Sequence, residues 1–177
     1  MKSELLEWIR DIAIAIIIAL IILVFLKPII IQQESMEPNF NPGDYVITSR
    51  QAYTLFGEPK RGDVIVFKTE LKDVEGKNKN LIKRVIGLPG DVVSMKDGYL
   101  YINDELLDEP YVKEQGISDL VIGGDMAPVI VPEGMLFCCG DNRGVSLDSR
   151  SIGPIAIDSV VGKVKIRLYP FNQIKRF

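Results

Sequence analysis

The chain has 177 residues, 47% of them hydrophobic, which is room for one domain of ordinary size with a real core. Its formal net charge of -3 offers no basic footprint for a phosphate backbone, so nucleic acid is excluded as a partner. It contains no histidine, which removes Ser-His-Asp and Cys-His catalysis and every metal site built on imidazole.

In chain order, the first feature is the run from Ile12 to Leu26, fifteen uncharged and strongly apolar residues, resuming after Lys27-Pro28 as Ile29, Ile30 and Ile31. A helix this apolar on all sides has no polar face to show to water. With Trp8 and Ile9 extending it and Arg10 and Lys27 able to snorkel, it reads as one membrane span. A buried helix of a soluble protein and a cleaved leader are the alternatives. No A-x-A-like site follows Leu26, and Glu4, Glu7 and Asp11 spoil a positive leader, so a retained anchor is expected. The predicted organisation is a short cytoplasmic segment over 1-10, a transmembrane anchor over 11-31, and an extracytoplasmic β-rich catalytic domain over 32-177. That places the protein in the plasma membrane as a single-pass chain with its domain on the outer face.

Beyond the anchor, turn signals punctuate short β-rich runs. Strands are predicted at Tyr45 to Ser49, Val64 to Lys68, Leu81 to Ile86, Val92 to Met95, Tyr99 to Ile102, Met135 to Cys139 and Val161 to Leu168. No sustained helical period follows Pro28, so the fold class is mainly β: an antiparallel β-barrel or sandwich behind one N-terminal helix. Loop insertions are expected near 70-80 and 113-132. Cys138 and Cys139 are adjacent and cannot form a long-range staple. They read as small strand residues facing opposite ways, with a reactive or metal-binding pair as the alternative.

Without histidine, a hydrolase of this size can still activate a serine with a lysine, provided the amine is buried enough to be neutral. In Leu81-Ile82-Lys83-Arg84-Val85-Ile86, strand alternation puts Lys83 on the face of Leu81 and Val85, and Arg84 on the face of Ile82 and Ile86. Alternation alone does not say which face is buried, and a solvated strand-edge lysine is the other reading. Ser35 lies nine residues beyond Leu26 and so, at about 30 Å of extended chain at most, close to the bilayer surface. By itself it is also readable as an ordinary loop serine.

Four segments in order carry a resemblance. Ser35-Met36-Glu37-Pro38, Arg61-Gly62-Asp63-Val64-Ile65-Val66-Phe67, Lys83-Arg84-Val85-Ile86-Gly87-Leu88-Pro89-Gly90-Asp91, and Gly140-Asp141-Asn142-Arg143 through Asp148-Ser149-Arg150 are together similar to the boxes of type I signal peptidases, particularly the short bacterial forms. The resemblance covers nearly the whole chain. It implies a serine endopeptidase with Ser35 as nucleophile and Lys83 as general base, and Ser146 orienting the lysine. Met36, Pro38, Arg84, Asp141, Asn142, Arg143, Asp148 and Arg150 would support the site, the last two as an ion pair. It implies signal-peptide-bearing preproteins as substrates, cut after an Ala-x-Ala-like motif, contact with the bilayer and the export machinery, and no metal or cofactor. Two positions depart from the family pattern. Gln33 stands where a serine or glycine is usual, leaving the backbone N-H of Ser35 as one oxyanion donor and Gln33 as a candidate for the second. Asn39 stands where threonine is usual. The competing function is a non-catalytic, membrane-anchored peptide-binding β-domain on the same fold.

Overall fold

A computed structural model describes residues 2-49, 51-53, 57-72, 75-113 and 125-177. Helix α1, Lys2–Phe25, carries a stretch from Leu6 to Phe25 with mean hydropathy 2.6, none of it buried, long and apolar enough to cross a bilayer. The chain then turns at once into β1, Leu26–Ile30. Helix therefore starts and stops earlier than the predicted anchor over 11-31. Pro28 has no N-H to continue the helical ladder, and Ile29 and Ile30 enter a strand paired with Val46 and Tyr45.

The remaining strands follow as β2 (Tyr45–Ser49), β3 (Val64–Lys72), β4 (Asn78–Gly87), β5 (Val92–Lys96), β6 (Tyr99–Ile102), β7 (Glu105–Leu106), β8 (Met126–Ile130) and β9 (Met135–Cys139). After a four-residue helix α2 (Ser149–Ile152) come β10 (Ile155–Ala156), β11 (Val160–Tyr169) and β12 (Lys175–Arg176). All pairings are antiparallel. The large sheet runs β1-β2-β11-β3-β4-β9-β10 with β12 on β11, and the smaller one runs β7-β6-β5-β8. The mainly β class read from the sequence is the one observed, with all seven predicted strands present. Two predicted loops differ. Residues near 70-80 are mostly the ends of the β3-β4 hairpin. The segment 113-132 holds β8, while its residues 114-124 lie outside the described residues.

The site depends on β4, which is buried on both faces from Leu81 to Gly87. Ile82 joins a cluster with Met36, Phe40, Val46, Val64 and Val164. Leu81 and Val85 join Ile65, Phe67, Leu136, Cys138 and Ile155 on the other face. Ile86 meets the small sheet through Val93, Leu100, Ile102 and Phe137. Alternation thus left open which face of β4 was covered because both are. Cys138 and Cys139 divide between the clusters on opposite faces of β9, as predicted. Both thiols are free and fully buried, and burial pushes both up from the ordinary thiol range, so neither is a reactive thiolate.

Candidate active site

Ser35 sits in a 3-10 turn, Glu34–Met36, between β1 and β2. Met36 is wholly buried and anchors the turn in the core beside Phe40, while Pro38 lies exposed on its rim. The turn is closed by Glu37 N-H donating to Glu34 O (3.1 Å) and Phe40 N-H to Met36 O (2.9 Å). Asn142 fastens it from outside: its backbone N-H donates to Ser35 O (3.1 Å) and its Nδ2 to Glu34 O (3.2 Å). As the second residue of such a turn, Ser35 has a backbone N-H without a partner in its own turn. Gln33, just before the turn, makes no capping bond with its side chain and is exposed on the cleft beside Ser35.

Lys83 enters from the middle of β4, opposite Ile65 of β3. Its side chain is 1% exposed, and Nζ lies 2.7 Å from Ser35 Oγ. Burial disfavours the ammonium and pushes the amine down to about 8, against the weaker opposing pull of Asp148 and more distant groups. A lysine usually avoids such a place.

The loop after β9 closes the other side. Gly140 N-H donates to Asp148 Oδ2 (2.9 Å), and Asp148 also caps α2 through Arg150 N-H (3.2 Å). Arg150 binds the Asp148 carboxylate through Nε (2.8 Å) and Nη2 (2.9 Å), and Nη2 reaches Arg143 O (2.9 Å) and Ser146 O (3.3 Å). The predicted Asp148–Arg150 ion pair is thus present, with both side chains wholly buried. A side chain at Gly140 would run into Ser146 Oγ and the Ser35 carbonyl, so only glycine lets these three segments close together. Ser146 Oγ is buried there. It is close enough to favour the ionised form of Asp148, yet it makes no bond of hydrogen-bonding geometry, to Lys83 or to any other described residue.

A second layer holds β4 and this loop in register. Arg84 donates through Nε (2.8 Å) and Nη2 (2.6 Å) to the two oxygens of Asp141, and Asn39 Nδ2 adds a bond to Asp141 Oδ2 (2.9 Å) and another to Tyr111 O (2.6 Å). Arg84 also lies 4.2 Å from the centre of the Tyr111 ring. Arg143 pairs with Glu109 through two bonds of 2.9 and 2.6 Å. Glu109, Tyr111 and Gly140 are contributors that sequence reasoning gave no role. Gly140 lies in the fourth of the segments that carry the resemblance, whereas Glu109 and Tyr111 belong to a short Glu109-Pro110-Tyr111 stretch whose partners Arg84, Arg143 and Asn39 are distant in sequence.

Along one side of Ser35 runs an open cleft of about 510 Å³, walled by Pro42, Leu71, Leu81, Val145 and Leu147. Val145 and Leu147 are exposed on it, and Gln32, Gln33, Glu34 and Lys79 supply its polar lining.

A family model described as "Signal peptidase, peptidase S26" matches residues 5–169. Signal peptidase I of Bacillus licheniformis is 40% identical over 181 residues, covering 99% of this chain and 94% of that protein. Signal peptidase IB of Staphylococcus aureus (strain Mu50) is 40% identical over 189 residues, covering 99% and 95%. Among solved structures, a signal peptidase I from Enterococcus faecalis V583 is 34% identical with a TM-score of 0.45, covering 59% of this chain and 95% of that one. The family model and curated relatives covering 99% of the chain place it among serine peptidases. Within that class, the chain belongs to the signal peptidase family, peptidase S26.

Proposed function

We propose that this protein is a membrane-anchored endopeptidase that removes signal peptides from exported preproteins after a small-x-small motif, with Ser35 as nucleophile and Lys83 as general base. The observation that carries this reading is the 2.7 Å approach of Ser35 Oγ to an amine that burial has shifted down to about 8. With such a value about one lysine in ten is neutral at pH 7, where an ordinary lysine leaves fewer than one in a thousand. The neutral amine accepts the Ser35 proton as Oγ attacks the scissile carbonyl. It then returns that proton to the leaving amine, giving an acyl-enzyme and a free mature N-terminus. The same amine next takes a proton from water, which hydrolyses the ester. The Ser35 N-H and the amide of Gln33, which has no hydrogen bond to any described residue, are the donors for the oxyanion.

In this reading α1 crosses the plasma membrane with the N-terminus inside, and the β domain works on the outer face. A substrate tethered in the same bilayer, or handed over by the export machinery, reaches Ser35 at high effective concentration. The test is cleavage of a precursor bearing an Ala-x-Ala site by the full chain in detergent, beside Ser35→Ala. The wild type should release the signal peptide and the variant should be lower by about 10³-fold or more. Equal release by both would end the proposal.

Ser146 tests the lysine-orienting role separately. Its hydroxyl is buried without a bond to any described residue, so Ser146→Ala removes an unsatisfied polar group and should leave stability unchanged or raise it by about 1 kcal/mol. If the hydroxyl steers Nζ during turnover, kcat nevertheless falls about tenfold or more with little change in KM. Unaltered kcat would remove Ser146 from the mechanism.

A further inference from the structure

Among the described residues, one cation on the cleft beside Ser35 is not used by the proposed chemistry. Lys79 lies on β4 four residues before Lys83, on the same strand face as Leu81 and Lys83, and lines the cleft in a half-buried position. The wall it shares includes the apolar Leu71 and Leu81 as well as the polar Gln32, Gln33 and Glu34. No ion pair reaches its ammonium among the described residues, whereas the buried cations Arg84, Arg143 and Arg167 each have a carboxylate. Glu34, the acidic residue on the same cleft, makes no ion pair with Lys79.

We infer that Lys79 is a specificity-determining residue that favours an acidic side chain, and disfavours a basic one, about four residues before the cleavage site. This rests on the peptidase reading above. Four strand residues span roughly 13 Å, and an extended peptide advances by the same rise, so a substrate whose scissile bond is at Ser35 brings its fourth residue level with Lys79. The cleft lies on one side of Ser35, and the acyl half of the substrate is the half that must stay bound until water arrives. The residues before the cut therefore occupy it. A carboxylate beside Lys79 gains a partner next to Leu71 and Leu81, in a cleft whose other polar lining is Gln32, Gln33, Glu34 and Ser35, and a second ammonium meets repulsion in the same place.

The experiment uses the full chain in detergent and one precursor with a small-x-small site, carrying Ala, Asp or Lys at the fourth position before the cut, with the same three residues at the fourth position after it as controls. Wild type is expected to cleave in the order Asp, Ala, Lys, with roughly a fivefold ratio of kcat/KM between the extremes, compressed at high salt. Lys79→Glu should invert the order, read as the ratio of kcat/KM for the Asp and Lys substrates within each enzyme. The same order in Lys79→Glu, a parallel fall on all three substrates, or an effect confined to the positions after the cut would overturn the inference. Equal wild-type rates on all three leave the peptidase reading standing and sink the Lys79 inference alone. No wild-type cleavage of any of them sinks both.

Discussion

Lys83→Met is expected to abolish turnover and to make the protein more stable. The unbranched thioether fills the slot of the lysine stem, but no base remains for Ser35, and loss of a general base of this kind lowers kcat by about 10² to 10⁴. Stability moves the other way because Lys83 is an amine held where an ammonium is disfavoured. An unfolded lysine titrates near 10.4 and the folded one near 8, so between those values the unfolded state binds more protons and stability climbs with pH. Below 8 the folded state carries the full cost, about 3 kcal/mol. Losing the bond to Ser35 gives back about 1 kcal/mol. The net expectation is a gain of about 2 kcal/mol at pH 7 in reversible denaturation, with the advantage gone by about pH 10.5. A variant less stable than wild type at neutral pH would show that the ammonium is well solvated, against the geometry.

The largest loss of stability is expected from Asp148→Ala. The carboxylate accepts from Gly140 N-H and from Arg150 through three donors, and neither side chain touches water. Burial opposes its charge, but the Arg150 guanidinium more than offsets this and holds the carboxyl below the ordinary range. Removing it strands a buried guanidinium whose Nη1 already lacks a partner, at a cost of about 3 to 5 kcal/mol. Because the folded carboxyl titrates below the unfolded one, its contribution is present above about pH 4 and is lost as pH falls further through the folded value. The deficit of Asp148→Ala should therefore shrink in acid. Adding Arg150→Met should recover part of the loss at neutral pH, since it removes the orphaned charge. A double variant as unstable as the sum of the two single ones would mean the pair is not coupled.

How much of this could be read in the sequence differs from element to element, for physical reasons. β2, β3 and β4 announce themselves because Pro42-Gly43-Asp44, Arg61-Gly62-Asp63 and Pro89-Gly90 mark turns around alternating apolar runs. β1 is concealed because Ile29, Ile30 and Ile31 extend an apolar run that already reads as a span, and the pairing partner that makes them a strand lies fifteen or more residues on. β8 is concealed by Pro128, which a central strand excludes but an edge strand tolerates, and β8 is an edge of its sheet. In the site, the absence of histidine and strand alternation made Lys83 a candidate base, but its pairing with Ser35 and the place of Ser146 were legible only through the four-segment resemblance. The side-chain partners were not: Arg84 with Asp141 joins residues 57 apart, and Arg143 with Glu109 joins residues 34 apart. The spacing of one sequence carries no sign of such pairs. The substitution of Asn39 for the usual threonine has a structural counterpart, since its amide spans Asp141 and the Tyr111 carbonyl in one reach.

The proposed peptidase chemistry requires a neutral Lys83 acting on Ser35, and the pH dependence of kcat/KM on an Ala-x-Ala precursor tests that most directly. In the free enzyme the base must lose its proton before it can act, so the profile should rise tenfold per pH unit through neutrality and level off near an apparent pKa of about 8. A profile that is flat from pH 6 to 10, or a rising limb that persists unchanged in Lys83→Met, would contradict it.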